Sequence, residues 1–218
     1  MFKFTMLLAG ALLAVAGAQA QTTGTQFGLK SGLTMSVLDG TINTGAEYRT
    51  GFHLGGFVRW RPSARFALQP ELVYSQQGCD THVMNTVPFD GQIKLSYLNV
   101  PVLAKLYLGK VVNLQLGPQV GVLLAGRRQG QVMYSSATNS YTTEDVDVKQ
   151  DYKTDLAVCA GLGADFPFGL IVAARMNYGL NDIDQNARTR AIRDSDPTIK
   201  GLHNRVFEFS LGYAFGGK

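Results

Sequence analysis

Cysteine, histidine and clustered charge are what this sequence has least of. It holds two cysteines, Cys79 and Cys159, far apart in the chain. That is neither a metal-binding spacing nor enough for a disulfide framework. Three histidines, none at a spacing from serine that marks a catalytic pair, leave little for triad chemistry. The formal net charge is +4, and +3 once Lys3 is set aside. Its basic residues are scattered, which excludes a nucleic-acid surface.

Only the N-terminus carries a compact apolar run. Lys3 supplies a positive start, "FTMLLAGALLAVAG" the apolar core, and "AQA" at 18–20 a small-residue cleavage site. The core is short for a membrane helix, and no stop-transfer pattern follows. The expectation is a signal peptide over residues 1–20 and one exported domain over 21–218. Residue 21 is glutamine, which speaks against a lipid anchor.

What the mature chain does have is period-two alternation. Residues 98–108 place Leu98, Val100, Val102, Ala104, Leu106 and Leu108 at one parity, with Asn99, Lys105 and Tyr107 at the other. A strand sorts these onto two faces, whereas a helix would scatter them. Seven more segments do the same, near 27–37, 51–61, 65–76, 112–124, 155–166, 170–180 and 206–216. Their length of roughly 10–13 residues suits a tilted strand crossing a bilayer.

Connections alternate between short and long. Short turns fall at 62–64, 109–111 and 167–169; long polar links fall at about 38–50, 78–92, 127–153 and 181–203. A soluble sandwich has no reason to keep every second loop short, but an outer-membrane barrel does. Aromatics at Phe27, Trp60, Phe66, Phe166, Tyr178 and Phe215 fall where interfacial girdles belong. The fold expected is all-β: an eight-stranded, antiparallel, up-and-down transmembrane β-barrel. It would be a monomer of the cell outer membrane with both termini in the periplasm.

Two features strain this pattern. Pro70, Pro101 and Pro118 sit inside strands, where each removes a ladder donor; bulges could accommodate them. Ile93, Leu95 and Tyr97 are out of phase with Leu98 and Val100, which predicts a bulge near residues 96–98.

Parity assigns the polar residues Lys30, His53, Arg59, Gln69, Glu71, Lys105, Gln115, Gln119, Asp155, Arg175, Asn177 and Glu208 to the lumen. An eight-stranded interior is just wide enough for its own side chains, so a structural network outweighs a pore or an active site. His53 is expected beside Glu71. Counting from the short turns places Arg175 level with Glu208 on the last two strands, predicting a bidentate pair, with Lys30 able to share Glu208. No catalytic residue, cofactor or metal is expected. The acidic pairs at 182–184 and 194–196 lack the glycine and closing glutamate of a calcium loop. The mixed charge of the long links suits a partner-binding or lipid-contacting surface, against the plainer reading of solvated loops.

The run "YLNVPVLAKLYL" followed by "NLQLGPQVGVLL" resembles the PorT-like outer-membrane β-barrel family, on Tyr97, Leu98, Val100, Pro101 and Lys105, then Gly117, Pro118 and Gln119. The later "GLGADF", "ARMNYGL" and "NRVFEFSLGYAF" are similar to that family's closing strands. The resemblance implies the fold and the location, places Pro101 and Pro118 within the family pattern, and includes secretion accessories among its members. The expected role is a non-enzymatic scaffold displaying loops to a protein partner or surface lipid. The alternatives are an outer-membrane lipid-modifying enzyme and a soluble lipocalin-like carrier, whose apolar face would line the inside.

Overall fold

The structure, a computed structural model, describes residues 24–40, 46–83, 89–135, 140–196 and 198–216. The residues expected as a signal peptide lie outside that range. Nine strands run β1 (Thr25–Asp39), β2 (Ala46–Trp60), β3 (Phe66–Val83), β4 (Phe89–Tyr107), β5 (Val112–Ser135), β6 (Ser140–Asp147), β7 (Asp155–Asp165), β8 (Leu170–Gly179) and β9 (His203–Phe215). Among the described residues an α-helix, α1 (Ala187–Ser195), lies between β8 and β9.

Eight of these strands close a ring. The sheet order is β4-β3-β2-β1-β9-β8-β7-β5-β6, and β4 also pairs with β5. All the pairings are antiparallel, and β1 meets β9 from Phe27↔Phe215 to Asp39↔His203. β6 stands outside the ring, paired to the far end of β5. Closure removes the open edges that lipid would not tolerate. The described ends of the chain and all three short turns share one rim.

Alternation decides the faces as expected. Leu29, Leu33, Leu54, Leu72, Leu116 and Leu211 are each more than half exposed on the outside. Lys30, Glu71, Lys105 and Arg175 are buried inside. In water such an apolar exterior would be a large liability; against lipid it is the solvent-matched face. The soluble-carrier alternative requires the opposite arrangement and is overturned. Phe27, Trp60, Phe66 and Phe215 are exposed near the rim of short turns, and Tyr48 and Tyr178 near the other. Phe166 is less exposed and stacks on Phe168 at 5.4 Å.

The prolines are accommodated without bulges. Across β3 and β4 the register is the same on either side of the gap between Pro70↔Val102 and Val73↔Asn99. Across β4 and β5 it is the same on either side of the gap between Pro101↔Gln119 and Ala104↔Leu116. Each proline lets a few rungs lapse and leaves the parity intact. Gly117 belongs to this squeeze: a Cβ there would overlap the Val102 carbonyl oxygen.

The irregularity opposite residues 96–98 is present, but its extra residue is on the partner strand. Ser96 faces Ala125 and Tyr97 faces Leu123, so Leu124 is unmatched. β4 keeps one parity throughout, with Leu95 and Tyr97 buried inside like Asn99 and Lys105. The apparent phase change reports a change of lumen contents. Below Tyr97 the interior is polar; above it an apolar cap begins. Leu38, Cys79, Leu95, Tyr97, Leu123 and Ile183 form that cap, with Tyr152 and Leu202 packed against it.

The long links are more regular than expected. Much of 78–92 and 127–147 is strand, extending β3, β4 and β5 and adding β6. Their sequence lacks the apolar alternation of the other strands, so backbone pairing continues where the hydrophobic signal stops. Their cross-strand pairs are ionic: Arg127 to Asp145 and Arg128 to Glu144, both at 3.3 Å.

Candidate functional site: the lumen lattice and its cap

Strand parity points a polar residue inward at every second position, and the ring brings residues distant in sequence to one level. Glu71 is a buried acceptor at the centre of these contacts. Lys30 Nζ donates to its Oε2 at 2.7 Å. Arg175 donates through both terminal nitrogens at 3.2 Å. Gln69 Nε2 donates to Oε1 at 2.8 Å. One carboxylate thus holds two cations, one from β1, two strands along the ring, and one from β8, directly across it.

Gln69 joins this group to a second one nearer the termini. Its Oε1 accepts from Arg59 Nε at 2.8 Å and from Lys105 Nζ at 3.2 Å. Both cations also hold Asp165, with Lys105 Nζ at 3.0 Å and Arg59 NH2 at 3.3 Å from Oδ2. Tyr107 donates its hydroxyl to the same oxygen at 2.6 Å. The result is one connected lattice from Tyr107 to Arg175. Buried charge needs opposite charge and hydrogen bonds in this way, because desolvation otherwise outweighs attraction.

Arg175 and Glu208 are paired in register as expected. The bidentate bond, however, goes to Glu71, and Arg175 Nε lies 3.9 Å from Glu208 Oε2. Lys30 likewise binds Glu71 rather than Glu208. Glu71 meets both cations from β3 across the lumen, whereas Glu208 lies on β9, the strand between theirs. His53 is inside but bonds Ser210 Oγ at 2.9 Å through Nε2, rather than Glu71. Gln115 donates to Asn113 at 3.0 Å. Gln119 accepts from Cys159 at 3.4 Å. Asn177 is buried on the wall, and neither amide atom has a protein partner. Asp155 sits higher, where Asn204 bonds both it, at 3.3 Å, and Gln77.

Asp165 and Tyr107 have inward parity, yet their role was missed by sequence reasoning. Asp165 precedes a short turn, which suggests a solvated rim rather than a buried anion. The His53–Ser210 contact was also invisible, since 157 positions separate the two residues. It has the geometry of a base and a hydroxyl nucleophile. Both side chains are buried, and the cap and the lattice enclose them from either end. The two cysteines are buried and form no disulfide. Among the described residues, no three His, Cys, Asp or Glu side chains converge as a metal site.

Above the lattice, the segment between β8 and β9 stoppers the barrel. Ile183 is fully buried in the cap, and its carbonyl accepts from Lys153 N at 2.9 Å. Arg193 from α1 clamps the segment, meeting Asp182 at 3.0 Å and Asp184 at 2.9 Å. Gln185 donates to the Gln150 and Tyr152 carbonyls at 2.7 and 3.1 Å. Burial pushes the Tyr152 phenol well above the usual tyrosine range, so it stays neutral in the cap.

The model of an outer membrane protein beta-barrel domain matches residues 18–185. No curated protein matches the sequence. Among solved structures, Neisserial surface protein A is similar at 11% identity and a TM-score of 0.50, covering 88% of this chain and 99% of that one. The attachment invasion locus protein Ail of Yersinia pestis is 16% identical, with a TM-score of 0.49 and the same coverage. OprG from Pseudomonas aeruginosa is 11% identical, with a TM-score of 0.44, covering 91% of this chain and all of that one. Identities this low speak to the fold alone. With the family match across most of its length, an apolar exterior and a closed ring of eight strands, the chain belongs to the family of outer-membrane proteins with a β-barrel domain.

Proposed function

We propose that this protein is a closed, non-enzymatic scaffold that displays its long connections outside the cell to a protein partner or surface lipid. The observation that carries this reading is that the lumen is obstructed twice. The ionic lattice fills it at mid-height, and the cap around Ile183 closes it above. An interior occupied by its own side chains leaves the rim as the surface where function resides.

In this reading residues 1–20 are removed on export, and the termini and short turns face the periplasm. The β5–β6 hairpin and the segment carrying α1 then face outward. Ring closure leaves no strand edge within the membrane, which favours a monomer. The lumen residues Lys30, His53, Arg59, Glu71, Lys105, Gln115, Gln119, Arg175, Asn177 and Glu208 serve stability rather than chemistry. Within the family, the run from Tyr97 to Lys105 and the Gly117-Pro118-Gln119 motif in the next strand favour the PorT-like branch, and with it a part in secretion.

Planar-bilayer recording tests the reading. Reconstituted protein is expected to give no steady single-channel steps. Reproducible open steps would overturn it.

A further inference from the structure

Between the lattice and the cap lies a belt of buried polar groups that the surrounding side chains leave unsatisfied. Asp155 is 2% exposed, and among the described residues no lysine or arginine pairs with it. Arg205 has the opposite parity, on the outer face of the wall, and is held by Asp39 and the Gly179 carbonyl. Asn204 Nδ2 donates to Asp155 Oδ2 at 3.3 Å and to Gln77. That leaves Asp155 Oδ1 and Asn204 Oδ1, both acceptors, with no donor among the described residues. Asn99 and Asn177, each 1% exposed, have neither amide atom bonded.

Two glycines bring these groups close. Gly121 stands between Asn99 and Asp155 in the register. A Cβ there would lie 2.5 Å from Asn99 Oδ1 and 3.5 Å from the Asp155 Cβ. On β8 a Cβ at Gly179 would lie 3.0 Å from Asp155 Oδ1. Asn177 is the next inward residue below Gly179.

We propose that this belt binds one dehydrated alkali-metal cation against Asp155 Oδ1, with carboxamide oxygens of Asn99, Asn204 and Asn177 completing its ligands. A buried carboxylate needs a counter-charge as well as hydrogen bonds, and water satisfies the acceptors without supplying the charge. One carboxylate calls for one positive charge; a divalent ion would leave an excess above Arg175. An all-oxygen set of carboxylate and carboxamides suits a hard cation. Asn99 and Asn177 can each turn an oxygen to the ion without breaking a bond. The cap and the lattice close both approaches, so the ion is taken up as the barrel folds.

Refolding into detergent in sodium, potassium or N-methylglucamine chloride at equal ionic strength tests this. The urea midpoint of the wild type is expected to rise with the concentration of an alkali cation, and to stay lower in N-methylglucamine, which is too large for the belt. Asp155→Asn should lose that dependence, whereas Asp145→Asn, on the exposed β5–β6 hairpin, should keep it. A wild-type midpoint equal in all three salts, or a cation dependence that survives Asp155→Asn, would overturn the proposal. Should Asp155→Asn not fold, crystals of the wild type refolded in rubidium chloride decide the matter. An anomalous peak is expected between Asp155 and Asn99, and its absence would count against the site. The belt lies inside the wall whichever rim faces out, so its failure leaves the scaffold reading standing.

Discussion

Replacing Glu71 by alanine should destabilise the barrel more than any other single change in the lumen. The carboxylate accepts from Lys30, Arg175 and Gln69 at once, so its loss orphans two buried cations. Breaking one buried pair costs about 3–5 kcal/mol, and here two are broken. Urea unfolding in lipid vesicles, followed by heat-modifiable gel mobility, would measure the loss. Changing Lys30 and Arg175 to methionine as well should recover part of it, because the penalty comes from the unpaired charges. Glu208→Gln should cost clearly less, since Arg175 Nε lies 3.9 Å away and its terminal nitrogens are held by Glu71. Equal losses for Glu71 and Glu208 would mean that the register pair, not the cross-lumen one, carries the energy.

The second large effect is on the outside. Leu114 and Val172 are exposed on the apolar face, 39% and 41% respectively. Arginine at either position should impair insertion, at a cost of about 2–4 kcal/mol near the bilayer midplane. Gln115 is one residue along from Leu114 but buried inside. Arginine there has polar neighbours and should be milder. The readout is the folded, heat-modifiable fraction recovered from membranes. Equal damage at Leu114 and Gln115 would reverse the assignment of faces.

The eight ring strands were legible because lipid imposes a strict rule. Leu29, Leu114 and Val172 must be apolar, and their neighbours Lys30, Gln115 and Arg175 need not be. The rule fails where the solvent changes. In β3 to β6, beyond the apolar belt, the alternation lapses, so strand could not be told from loop. In β4, Leu95 and Tyr97 point inward into a cap assembled from Leu38, Cys79, Leu123 and, from the segment before β9, Ile183. No local pattern announces such a plug, so it looked like a shift of phase.

Lumen partners were half legible for a related reason. Parity fixes direction, and counting from the turns fixes neighbours in the sheet, so Arg175↔Glu208 came out correctly as a register pair. Which carboxylate wins depends on distances across the ring, set by strand tilt. That favoured Glu71 over Glu208, and it brought Asp165 between Arg59 and Lys105.

Orientation is the central claim, and impermeant thiol labelling of intact cells tests it most directly. On a background lacking Cys79 and Cys159, single cysteines replace Gln150 or Arg190 beside the cap, or Ser63 or Lys110 in the short turns. Labelling of the first two on intact cells, with the last two reacting only after permeabilisation, is the predicted result. Labelling of Ser63→Cys or Lys110→Cys without permeabilisation would contradict it.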